Sequence, residues 1–440
     1  MRVPDPVAFD TSTPAVVFKL DPNVLHHGGL GVIRSLGRAG VPVYAVHEDP
    51  TAPAAHSRHV RGRWLWRPDP DDPERINIGL AALAERLGRP AVLIPTDDAA
   101  AIHLAEHGSS LRGSFVFPEP PAGLPRRVAG KFTLHQVCRE LEVPSPRAEL
   151  IGTTAEAIEF AVEAGFPLIA KLATPWTGAM KVRSTTIVRE RAQLLALTRE
   201  CEQQRAGRLM LQEFLPGGAG NDWFFHGYRG SAGCRPAFTG VKARSYPAHA
   251  GLTTFGRCTS NTLLRGQATE LLKRLDFRGI ADLDFRFDHR DGRYKLLDFN
   301  PRLGAQFRLF RDSAGIDVAL AAYLDLTGQR VAEGLPPVGR SFLVENYDPL
   351  GALSYWRRGD LRLRDWLRSL RRVDEVAWFA RDDLAPFALM CVWMGRRALT
   401  RRFGAKPGKR LVDPPRYEER GRDGGSRHRG RTPYAVKEDR

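Results

Sequence analysis

Long apolar runs are missing from this 440-residue chain, and none approaches the roughly 20 residues that a membrane-spanning helix requires. Residues 1–14 have neither a hydrophobic signal core nor a basic leader, so a cytoplasmic location is expected. Cysteine is scarce: Cys138, Cys201, Cys234, Cys258 and Cys391 stand far apart, which excludes a zinc knuckle and a disulfide framework and leaves reduced thiols. No Ser-His-Asp or Cys-His arrangement emerges, so no protein nucleophile is expected. Interleaved aromatic stacking motifs are absent too, which argues against nucleic acid as a partner. The formal charge of +16 does not reverse that reading. Residues 401–440 hold 13 Lys or Arg against 6 Asp or Glu, so much of the excess sits in the tail.

What is present is ordinary globular composition, and the length calls for two or three cores. An apolar run from Ala15 to Leu20 leads through His27-Gly28-Gly29-Leu30-Gly31 into a helical pattern at Val32, Ile33 and Leu36. Val41 to Val46 follows as a second strand, making a βαβ unit of the doubly wound type. The glycine run lacks a full G-x-G-x-x-G because Arg34 stands three places after Gly31, which disfavours a dinucleotide site. Substrate binding at a helix N-terminus and a plain tight turn both remain open for it. Ala91 to Ile94 ends at Pro95-Thr96-Asp97-Asp98, at the carboxyl edge where open α/β sheets bind ligands. The Pro-rich stretch 118–125 marks a boundary, after which helices alternate with strands as α/β and α+β.

The chemistry concentrates in two strands. Ala281-Asp282-Leu283-Asp284-Phe285-Arg286-Phe287-Asp288 and Leu296-Leu297-Asp298-Phe299-Asn300-Pro301-Arg302 flank an Asp291-Gly292 hairpin signal. Period-two alternation places Asp282, Asp284, Arg286 and Asp288 on one face, and Asp298 with Asn300 on one face of the partner. Paired around that turn, the strands bring Asp284 opposite Asp298 and Asn300. Hard oxygen donors of this kind suit magnesium, which takes one or two carboxylates and completes its shell from phosphate and water. A solvated, acid-lined sheet face is the competing account; the run after Asp298 favours the metal site.

These segments resemble the end of an ATP-grasp domain, where an acid on one strand and an acid-x-Asn-Pro-Arg run on the next bind two magnesium ions. Gly130-Lys131 resembles the family's first nucleotide-contacting basic position, and Pro167-Leu168-Ile169-Ala170-Lys171 the strand ending in its second. Thr177-Gly178-Ala179-Met180-Lys181 resembles the small-residue loop that closes over the phosphates, with Thr177, Gly178 and Lys181 as nucleotide contacts. Leu211-Gln212-Glu213-Phe214-Leu215 is similar to the hinge that reads adenine, through the Glu213 side chain and the Leu215 backbone. Asp222 matches an acid that accepts from ribose hydroxyls. The resemblance therefore implies a Rossmann-like pre-ATP-grasp domain at 1–117 and a two-subdomain ATP-grasp fold at 118–334. A helical extension at 335–403 and a basic, disordered tail at 404–440 complete the expected organisation.

On this resemblance the chain joins a carboxylate to an amine through an acylphosphate, with ATP and two magnesium ions, or manganese in their place, as cofactors. Lys131, Lys171 and Arg302 would supply fixed positive charge. Lys242 and Arg244, on one face of a strand by alternation, could hold the acylphosphate or an acceptor carboxylate; two solvated cations are an equal reading. Gly220-Asn221-Asp222-Trp223 and Asn346-Tyr347-Asp348-Pro349 are similar to the D-aspartate ligase-like branch, which suggests an amino acid as the amine. The rivals are an ATP-binding regulator or scaffold without turnover, and an ATP-dependent phosphotransferase. Phe387 to Trp393 followed by arginines leaves peripheral membrane contact open, with a core-docking helix the more frequent outcome.

Overall fold

A computed structural model describes residues 9–172, 185–203, 209–217, 220–248, 251–403, 412–420 and 427–430. The opening βαβ pattern becomes a parallel sheet in which Ala15–Phe18 is flanked by Val43–His47 and Ala91–Pro95. Val60–Arg67 and Phe115–Val116 extend it outward, giving the order third, second, first, fourth, fifth. This is the order of a doubly wound dinucleotide-type sheet. Helix starts are fixed by side-chain caps: Asp72 accepts from the Arg75 N–H ahead of Pro73–Leu87, and Asp97 from the Ala100 N–H ahead of Asp98–His107. Asp97 also accepts from the Leu20 and Asp21 N–H groups at 2.8 and 3.1 Å, which pins the end of the first strand to the fourth.

The glycine run is not a loop. Gly28, Gly29 and Gly31 lie inside the first turns of helix His27–Arg38, whose cap is His26, with its ring nitrogen 3.3 Å from the Gly29 N–H. A Cβ at Gly31 would stand 2.7 Å from the Phe307 ring, so glycine lets this helix press against the turn that follows Pro301-Arg302. Close packing accounts for Gly31.

The second half holds two sheets. A small antiparallel sheet runs Ala148–Ile151, Leu209–Glu213, Leu168–Leu172, Thr185–Val188. The larger one runs Arg293–Asn300, Gly279–Asp288, Asp222–Gly230, Gly233–Tyr246, Leu252–Cys258, Ser341–Leu343, Glu375–Val376. Its apolar face, with Phe225, Leu283, Phe285 and Phe299, packs on helices Lys131–Glu140 and Thr262–Arg274.

The expected helical extension at 335–403 also contributes two strands. Ser341–Leu343 continues the large sheet, and the chain then returns to the first domain. There Arg34, wholly buried, donates to Asp383 Oδ2 at 2.8 Å and to the Trp378 carbonyl at 2.8 Å. Helix Ala385–Phe403 docks on the same side, with Trp393 Nε1 donating to the Thr51 carbonyl at 2.9 Å. Part of the segment expected to lack order, Val412–Arg420, instead pairs antiparallel with Val60–Arg67. Tyr417 packs on Trp64, and Arg63 pairs with Glu418, so this Pro-containing strand covers an edge of the sheet. Cys138, Cys234, Cys258 and Cys391 are free thiols. Among the described residues no helix is long and apolar enough to cross a membrane.

Candidate active site

Register puts the acidic residues together. In the hairpin Asp284 lies directly opposite Asp298, and Asp282 opposite Asn300. A bulge after Asp284 leaves Leu297 without a direct partner, so the acidic pairs stay in step although the rest of the hairpin slips by one. On its other side the Asp-rich strand meets Asp222–Gly230, with His226 opposite Asp282 and Asp222 opposite Arg286. The face is therefore a grid of ionisable groups spanning three strands.

Cations ring it. Lys131, at the start of its helix, donates to Asp298. Lys242 Nζ donates to Asp284 Oδ2 at 2.7 Å. Arg302 bridges the halves of the molecule: its Nε is 3.2 Å from Asp98 Oδ1 of the first domain, and its Nη1 is 3.3 Å from Asp282 Oδ2. Its Nη2 also donates to Asn300 Oδ1 at 3.0 Å. Lys171, on the small sheet, faces the same carboxylates; burial brings its ammonium down to about 8, against the pull of Asp298. Burial works on the acids in the opposite sense. It pushes Asp282 up to about 6 and raises Asp284, whereas at Asp298 the charges of Lys131 and Lys171 overcome burial and lower the carboxyl.

The donor set fits a hard divalent cation. Asp284 Oδ1 is buried without a hydrogen-bond partner, and two carboxylates with one amide oxygen match what magnesium takes from a protein when phosphates supply the rest. Among the described residues no group of three or more His, Cys, Asp or Glu is arranged to hold a metal ion by itself. In this structure Lys131, Lys242 and Arg302 lend the positive charge that such an ion would bring.

Asp282 was not singled out by sequence, yet it organises the cluster. Its Oδ2 accepts from Asn300 Nδ2 at 3.1 Å and from Arg302 Nη1, and its Oδ1 lies 3.3 Å from His226 Nε2. His226 is wholly buried and burial pushes its imidazole down to about 3, so it is neutral near pH 7. The sequence signal was available in the alternation itself, which places Asp282 on the same face as Asp284.

The hinge residues are close by and occupied. Glu213 Oε1 accepts from the Arg147 N–H at 3.0 Å, and Oε2 from Arg290 at 3.1 Å. Asp222 is held bidentately by Arg286 at 2.6 and 3.0 Å, and the same guanidinium donates to the Leu215 carbonyl at 3.1 Å. Arg286 thus ties the expected ribose and adenine positions to the acidic strand. Thr177, Gly178 and Lys181 lie outside the described residues.

Arg244 is not brought to the cluster. A bulge between Lys242 and Arg244 breaks the alternation, and Arg244 turns into a buried network. It donates to Asp348 Oδ1 and Oδ2 at 2.8 and 3.0 Å and to Ser369 Oγ at 3.0 Å, with its guanidinium 4.2 Å from the Phe255 ring centre. The expectation that Lys242 and Arg244 share a face is corrected by this irregularity.

No family model matches the chain. It is 24% identical over 290 residues to the D-aspartate ligase of Enterococcus faecium, covering 62% of this chain and 68% of that protein. Among solved structures it is similar to N5-carboxyaminoimidazole synthetase from Staphylococcus aureus (TM-score 0.54, 11% identity, 76% of this chain and 82% of that one). It is also similar to the biotin carboxylase domain of the Hydrogenobacter thermophilus 2-oxoglutarate carboxylase, solved with MgADP, ADP and bicarbonate. There the TM-score is 0.56 at 15% identity, over 75% of this chain and 74% of that one. With the doubly wound first domain followed by the two later sheets, these likenesses show that the chain shares the fold of those proteins.

Proposed function

We propose that this chain uses ATP to join a carboxylate to an amino acid through an acylphosphate, releasing ADP and phosphate. The observation that carries the reading is Asp284 opposite Asp298, with Asn300 beside them and Lys131, Lys171, Lys242 and Arg302 around them. A face with that charge pattern suits a triphosphate: cations bind its oxygens, and acids hold the metal that accompanies it.

In the proposed reaction a carboxylate oxygen of the donor attacks the γ-phosphorus, and the bond to the β–γ bridging oxygen breaks to release ADP. The amine then attacks the acyl carbon, phosphate leaves with the bonding pair, and the amine's proton passes to solvent. Magnesium, two ions with manganese able to substitute, would be held by Asp284, Asp298 and Asn300 and would supply positive charge to the phosphates. Lys131 and Lys171 orient the triphosphate. Arg302, fixed by Asp98 and Asp282, keeps a guanidinium at the junction with the first domain, where it can hold the acylphosphate. Lys242 opposes the rise that burial gives the Asp284 carboxyl. Glu213 and the Leu215 backbone read adenine, and Asp222 the ribose, once Arg290 and Arg286 release them. Thr177, Gly178 and Lys181 cover the phosphates.

The likeness to a D-aspartate ligase makes D-aspartate the first amine to test. The test is ADP release with magnesium and ATP across panels of amino acids and carboxylates, followed by mass spectrometry. ADP formation that depends on the amine, with a new amide mass, supports the ligase. A phosphorylated product without amide would make it a phosphotransferase, and nucleotide binding without turnover would make it a regulator.

A further inference from the structure

Two neighbouring helices leave apolar side chains in water. On Asp348–Arg357, Leu350, Leu353 and Trp356 recur every three residues and are 38%, 41% and 57% exposed. On Leu363–Leu370, Leu363 and Leu367 stand one turn apart at 60% and 48%, and no residue of that helix is buried. The second helix is nevertheless anchored. Trp366 Nε1 donates to Asp348 Oδ2 at 2.9 Å, and Ser369 Oγ accepts from Arg244, so its inner side is fixed and the leucines point away.

Charge surrounds these leucines. From residue 357 to 372 there are seven arginines, all exposed, against Asp360 and Asp365. Apolar side chains on one stripe with arginines beside them match an element that lies in a bilayer interface, leucines at the acyl boundary and guanidinium groups among the headgroups. The helix that composition alone favours for this role, Ala385–Phe403, is committed elsewhere. Its Met390 is buried, and Phe387 and Trp393 pack against the core shared with the first domain.

We propose that the face formed by Asp348–Arg357 and Leu363–Leu370 docks the protein on anionic lipid bilayers. A second copy of the chain is disfavoured as occupant, because an isologous contact would bring two sets of seven arginines together. A hydrophilic polyanion would match the arginines but leave five large apolar side chains in water. An anionic bilayer satisfies both halves of the face.

The experiment is co-sedimentation of the full chain with vesicles of phosphatidylcholine alone and of equal parts phosphatidylcholine and phosphatidylglycerol. The protein is expected to pellet with the mixed vesicles only, and to be released as salt is raised. Leu363→Asp with Leu367→Asp should weaken partitioning by roughly a hundredfold, and Arg364→Ala with Arg368→Ala by roughly thirtyfold. Both double variants should melt like the parent, since none of the four side chains is buried. The proposal is overturned by failure to pellet with mixed vesicles, by equal pelleting with phosphatidylcholine alone, or by parental partitioning in both variants. Light scattering that finds a dimer dissolved by the leucine changes would overturn it in favour of self-association.

Discussion

Lys242 and Arg244 are two residues apart on one strand, and each meets a carboxylate, yet the two meetings differ in kind. At Arg244 every group is answered: Asp348 also accepts from Thr254 Oγ1 at 3.1 Å and from Trp366 Nε1, and Ser369 takes the remaining guanidinium nitrogen. At Lys242 the bonding is unfinished. Asp284 Oδ1 has no hydrogen-bond partner, neighbouring Asp282 is pushed up by burial, and three acids crowd a few cations. A buried ion pair that closes on itself is architecture, whereas one that leaves a charged oxygen unmatched is arranged for something that arrives later. The difference separates a staple from a site where residue type alone cannot.

Breaking the open cluster should cost turnover and little stability. Asp298→Asn is expected to lower ATP turnover by at least about a hundred- to a thousandfold, with a melting curve close to the parent's. Full activity in the purified variant would remove Asp298 from the metal site. Breaking the closed cluster should do the reverse. Asp348→Ala strands Arg244 in the interior, and a loss of about 3–5 kcal/mol is expected in denaturant unfolding. If instead the fold holds and only the rate falls, Arg244 belongs to the chemistry.

Smaller effects sharpen the contrast. Asp282→Asn should weaken magnesium dependence by roughly ten- to a hundredfold, because Asn300 and Arg302 lose the oxygen that orients them. Lys171 offers a pH test. With its ammonium at about 8 in the free protein and phosphate favouring the charged form, MgADP affinity should be full below pH 8 and fall as pH rises through it. Lys171→Met should flatten that profile. The smallest effect belongs to Asp382, held below the usual carboxylate range by Arg38. A depressed acid stabilises above its unfolded value, and that contribution is lost as pH falls. Arg38→Ala should therefore cost only a few tenths of a kcal/mol near neutrality, in keeping with an exposed pair, and nothing in strong acid.

The site was legible in sequence wherever local rules decide. Alternation and the Asp291-Gly292 turn pair the two acid-bearing strands, and a bulge after Asp284 then sets Asp284 against Asp298. Lys131 and Lys171 were expected there from the family resemblance of their segments. What could not be read depends on distant partners or on single irregularities. The bulge beside Arg244 has no sequence mark, and Asp348 lies 104 residues away. Gly31 looks like part of a loop until Phe307, far along the chain, is seen to need its space. Val412–Arg420 reads as disordered by composition, but an open edge at Val60–Arg67 gives it a partner. Glu213 and Asp222 were placed at the hinge from motif, whereas the arginines that hold them, Arg290 in the hairpin turn and Arg286 on the strand beside Asp222, come from much later in the chain.

The most direct test of the central claim is calorimetric titration of the full chain with ADP, with and without magnesium, alongside Asp284→Asn. Metal coordination beneath a nucleotide predicts tight binding only when magnesium is present, and loss of that magnesium dependence in the variant at unchanged melting temperature. Equal ADP affinity with and without the ion, or an unaltered magnesium response after Asp284 is neutralised, would contradict it.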